Sequence, residues 1–191
     1  MWFAIKTTKQ QEVAEIVGVT HLVKSNWENG IKEAYNKSIF ITPVINDWTL
    51  VVGWGLPRGD SKDSLQKIKK LITALSARFG EAQFFCTHRV IEYHCWMKSM
   101  HGNIDRVYSY HGELGENPNI YGDPTEIELR YNLVDASSKE TQPNDSSNNE
   151  DLTYPNEEFV MKIARDWSID PSTLDDKKYP KSLGMIGFLR Q

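Results

Sequence analysis

Residues 82–111 read AQFFCTHRVIEYHCWMKSMHGNIDRVYSYH, and this stretch decides the fold. It contains three β-rich runs, 82–88, 90–100 and 104–111, dense in Phe, Tyr, Trp and β-branched residues. His101-Gly102-Asn103 joins the last two as a hairpin turn. A sheet with sequential pairing is therefore expected here.

On the N-terminal side, Leu65, Ile68, Leu71, Ile72, Leu75 and Phe79 fall on one stripe at helical spacing. Lys67, Lys69 and Lys70 lie away from that stripe, Asp60 or Ser61 supplies the cap, and Gly80 closes the helix. Residues 39–43 and 48–54 form a second hairpin across Asn46-Asp47. Residues 2–6 read as a first strand. Two short helices follow it, one started by a capping box from Thr8 to Gln11 and ended at Gly18, the other starting at Ser25-Asn26.

On the C-terminal side, the alternation of Ile127, Leu129, Tyr131 and Leu133 with Glu126, Glu128 and Arg130 predicts a strand over 126–134. Residues 136–151 carry no large apolar side chain and are expected to form a mobile polar loop. Asn156 starts a helix that runs through Trp167. Asp170-Pro171-Ser172 opens a further turn, and residues 185–189 supply a final strand or a docked arm. The sum is one α+β domain over 1–191, a largely antiparallel sheet of about five to seven strands with helices inserted and at the ends.

Composition bounds the function. The chain has 191 residues, 22 Lys+Arg against 26 Asp+Glu, and a net charge of -4. That acidity argues against direct nucleic-acid or anionic-membrane binding, both of which need a basic surface. The sequence shows neither a secretory signal pattern nor an apolar run of membrane-spanning length, so a cytoplasmic protein with reduced cysteines is expected. Gly53-Trp54-Gly55 lacks the remainder of a dinucleotide fingerprint and there is no P-loop, so no cofactor is expected. Of the tryptophans, Trp54, Trp96 and Trp167 read as core, whereas Trp27 and Trp48 stand at element edges where an indole could anchor a partner.

Cys86, His88, His94 and Cys95 supply the residue types of a zinc site. Strand alternation opposes it, because adjacent His94 and Cys95 point to opposite faces, and no metal is expected. The same region, with His111, is the place for a nucleophile–base pair if the chain is instead a small hydrolase.

Charge distribution is more telling than its total. Residues 113–158 hold twelve acidic side chains against Arg130 and Lys139, a net of -10, which leaves +6 for the remainder. An acidic segment flanked by tyrosines is suited to meet a basic partner. The expected contact residues are Glu113, Glu116, Asp123, Glu126 and Glu128, with Tyr110 and Tyr121 as anchors.

Three stretches, WTLVVGWGLP (48–57), the span from Ala82 to Glu113, and MKIARDWSIDPSTL (161–174), resemble a group of uncharacterised bacterial proteins. That group is similar in style to the immunity proteins of polymorphic toxin systems. The resemblance implies a cytoplasmic binding protein that neutralises a cognate toxin domain by blocking its active site, and it assigns no catalytic residue.

Overall fold

The computed structural model describes residues 1–135, 152–174 and 182–190. The polar loop expected at 136–151 lies outside the described residues. In chain order the elements are β1 (Trp2–Ile5), α1 (Gln10–Val17), β2 (Val19–Ser25), α2 (Trp27–Tyr35), β3 (Ile39–Ile41), β4 (Thr49–Val52), α3 (Lys62–Phe79), β5 (Glu81–His88), β6 (Tyr93–Met100), β7 (Asn103–His111), β8 (Glu116–Tyr121), α4 (Glu126–Arg130), α5 (Glu157–Trp167) and β9 (Gly184–Leu189). The strands form one nine-stranded sheet in the order β2-β9-β3-β4-β1-β5-β6-β7-β8. Every neighbouring pair is antiparallel. The α+β class is as expected from sequence, with more strands.

Register divides the core in two. On one face, Phe40, Val52, Trp2, Phe85, Trp96, Tyr108 and Ile120 are successive cross-strand partners, a largely aromatic row running across seven strands. Trp96 and Tyr108 stack at 4.4 Å, and Trp2 and Phe85 at 5.0 Å. α5 covers this row with Phe159, Val160, Ile163 and Trp167. On the other face Ile41, Val51, Phe3, Phe84, Met97 and Val107 pair in the same way beneath α1 and α3. Strands buried on both faces need not alternate, which is why WFAI and the FFC of β5 read as continuous apolar runs.

The hairpin turns follow their residues. Asn46 and Asp47 both have positive φ (47° and 67°), and Ile45 and Trp48 exchange backbone hydrogen bonds of 2.8 Å across them. His101 and Gly102 also have positive φ, and the Gly102 N–H donates to Ser76 Oγ, tying the β6–β7 turn to α3. Ser61 caps α3 by accepting from the Ser64 N–H, and Asn156 caps α5 by accepting from the Phe159 N–H. Gly30 brings α2 against Phe40 so closely that a Cβ there would meet the ring at 2.2 Å.

Several expectations are corrected. Residues 126–134 form no strand: α4 spans Glu126–Arg130, because the Glu128 side chain turns back to accept the Thr125 N–H at 2.6 Å. The capping box from Thr8 to Gln11 does not form. α1 starts at Gln10, whose side-chain amide donates to the Thr42 carbonyl instead. β2 intervenes between the first two helices, and Asn26, not Ser25, caps the second of them. The final segment is a strand, one of its two expected readings, and an interior one, with β9 between β2 and β3. Trp54 is exposed, whereas Trp48, Trp96 and Trp167 are buried. No described helix is long and apolar enough to cross a membrane.

Candidate functional site

β8 is an outer edge of the sheet, held only by β7. Its sequence, ENPNIY, has low strand propensity, and local bonds compensate. Ser109 Oγ accepts the Asn119 N–H at 3.0 Å, and Asn117 Nδ2 donates to the Ser109 carbonyl at 2.9 Å. Glu113 precedes the strand in a 3-10 turn (Gly112–Leu114), Glu116 begins it, and Tyr121 ends it. Asp123 follows and Glu126 opens α4. All five are exposed. The four carboxylates form no salt bridge among the described residues. Only Glu116 stands on the strand itself; Glu113 flanks its start, and Asp123 and Glu126 follow its end. Leu114, Tyr121 and Leu129 add exposed apolar surface along the same edge.

Two of the expected contact residues lie elsewhere. Glu128 is 1% exposed and cannot meet a partner at the surface. Its carboxylate accepts from Trp96 Nε1 (2.9 Å), Arg106 Nε (3.0 Å) and Thr125 Oγ1 (2.7 Å). Arg106, also buried, donates through Nη1 to the Gly122 carbonyl at 2.7 Å. A buried carboxylate keeps its charge only when paired and hydrogen-bonded, and this one is both. It ties α4 and the β8–α4 connection to the sheet, so its role is to position the edge. Tyr110 is buried against Tyr154, with ring centroids 6.0 Å apart. It pairs with His94 on the α5 face, whereas Tyr121 pairs with Val107 on the α3 face. The sheet therefore separates the two tyrosines.

Cys86 and Cys95 are cross-strand partners in the core under α3. Burial pushes the Cys86 thiol up to about 11 and also raises that of Cys95. His94 lies on the opposite face, its Nδ1 3.1 Å from Thr87 Oγ1, and burial lowers its pKa to about 4. The strand geometry thus holds His94 away from both thiols. The Glu157 carboxyl is held low by its ion pair with Arg89.

A second feature escaped the sequence. A cleft of about 620 Å³ opens on the aromatic face between α2 and α5. Trp2, Leu50 and Val52 on the sheet form its floor, and Trp27, Ile31 and Tyr35 of α2 form one wall. Tyr35 and Trp54 are exposed with centroids 6.4 Å apart, and Arg58 lies over the Trp54 ring at 5.7 Å. Trp2 Nε1 and His88 Nδ1 are buried without a hydrogen-bond partner among the described residues. An unmet buried donor costs about 1–3 kcal/mol, which makes both atoms noteworthy. These residues come from positions 2 to 88, and the strand order β3-β4-β1-β5, with α2 packed over β3, brings them together.

Set against models of protein families, curated proteins and solved structures, the chain matches none. Its function is to be read from its own geometry.

Proposed function

We propose that the chain is a cytoplasmic, immunity-type binding protein that neutralises a bacterial toxin domain by covering its active site through the β8 edge. One observation carries this reading: four exposed carboxylates, Glu116 on the open edge strand and Glu113, Asp123 and Glu126 in the segments flanking it, have no cationic partner among the described residues. A second copy approaching the same edge would set carboxylate against carboxylate, so the charges select against self-association and for a basic surface. A toxin that acts on nucleic acid presents such a surface. Pro118 removes a backbone donor from the strand. Recognition therefore rests on side chains more than on strand addition, with Leu114, Tyr121 and Leu129 supplying apolar contact.

The test is protection. Candidate toxin domains that act on nucleic acid, drawn from genes neighbouring this chain's, are each expressed in a bacterial host with and without the chain. Growth is expected to be restored by the wild type and lost again when the four carboxylates are changed to lysine. A wild-type chain that gives no protection overturns the proposal.

A further inference from the structure

We infer that the cleft between α2 and α5 is a binding site for a small planar anion of the nucleoside-monophosphate class. This rests on observations separate from the β8 edge. At about 620 Å³ the cleft falls in the size range of small-molecule sites. Its aromatic surfaces, Trp2, Trp27, Tyr35 and Trp54, come from one sheet strand, one helix and one loop. Indole and phenol faces stack flat heteroaromatic rings without requiring a particular base.

Polar groups add direction to that apolar surface. Trp2 is 5% exposed, and its indole N–H, a donor only, has no acceptor among the described residues. His88 Nδ1 is likewise without a partner among the described residues. A purine or pyrimidine ring carries the acceptors and donors that both atoms lack. Two further charges, Arg89 and Glu157, line the cleft but neutralise each other in an ion pair. Arg58 has no carboxylate partner among the described residues, only the Trp54 ring. The guanidinium is thus an uncompensated charge of the cleft wall, and it sits beside a ring on which a base could stack. A guanidinium fork next to an aromatic face suits a phosphate joined to a planar ring.

Isothermal titration of the full chain with AMP, adenosine and inorganic phosphate tests this. AMP is expected to bind with a Kd on the order of 0.1 mM or tighter. Adenosine is expected to bind at least about fivefold more weakly and phosphate more weakly still. Arg58→Gln should weaken AMP without changing adenosine, and Trp54→Ala should weaken both. Trp54 is exposed, so its removal leaves the core intact. In ¹⁵N NMR the Trp2 indole resonance should shift on AMP addition. No AMP binding overturns the inference, as does binding that both variants leave unchanged. Equal affinity for adenosine removes the anion requirement, and equal affinity for phosphate removes the ring. Either result overturns the assignment.

Discussion

Glu128 shows how one buried side chain positions the β8 edge without reaching its surface. Its carboxylate is shared among Trp96, Arg106 and Thr125 in a site closed to water. Removing its charge would leave the Arg106 guanidinium buried and unpaired, a change that typically costs about 3–5 kcal/mol. Glu128→Gln is accordingly expected to lower the urea-denaturation free energy by about 3 kcal/mol. It should also loosen the β8–α4 connection, seen as faster amide exchange at Gly122. An unchanged midpoint would show that the pair contributes nothing. From sequence this glutamate was indistinguishable from Glu126 two residues earlier. Only Arg106, arriving from β7, separates a buried acid from an exposed one.

His94 makes the second prediction at this scale. Its pKa falls from the ordinary 6.5 to about 4 because burial penalises the imidazolium. Above the unfolded pKa the ring is neutral in both states, and its burial is uncharged and stable. As pH falls below about 6.5 the unfolded chain takes up the proton first, so stability drops until the folded pKa near 4 is passed. Between about pH 8 and about pH 5 this single group should cost about 2 kcal/mol. A His94→Gln variant should lose less stability across that range, as followed by thermal unfolding. An identical pH slope in the variant would rule His94 out as the source.

Elements were legible where local chemistry decided them. The two hairpin turns, the stripe of α3 and the Asn156 cap of α5 are each set by residues within a few positions. Those that were missed depend on distant partners. β8 has poor strand propensity and exists because Ser109 and β7 supply its bonds. α4 replaces an apparent strand because Glu128 is drawn into the core. β9 is held on both sides by strands about 150 residues away in sequence. α2 shows the same dependence in its packing. A Cβ at Gly30 would overlap Phe40, so Gly30→Ala should force the helix off the sheet and cost about 1–3 kcal/mol. An unfolding midpoint equal to wild type would mean that Phe40 yields freely.

Across the whole molecule, the sheet sorts its two surfaces by chemistry. Its β8 edge carries the unpaired carboxylates, and its aromatic face opens into the cleft with Arg58 at the side. The polarity of charge along the chain was visible in sequence, as an acidic segment from 113 to 158 against a basic remainder. The separation of Tyr110 from Tyr121 was not, because it follows from strand register. Nor was the cleft, whose aromatic residues become neighbours only when β1 pairs with β4 and α2 packs over β3. The edge and the cleft are distinct surfaces, so variants of one should leave the other's binding intact.

The most direct test of the β8 edge as the docking surface is the affinity of the purified chain for a toxin domain against which it protects. Wild type is to be compared with E113K/E116K/D123K/E126K at low and high ionic strength. The edge predicts a loss of at least about tenfold in the variant at low salt, through slower association, and a difference that shrinks as salt rises. Affinities within about twofold of each other at every salt concentration would contradict it.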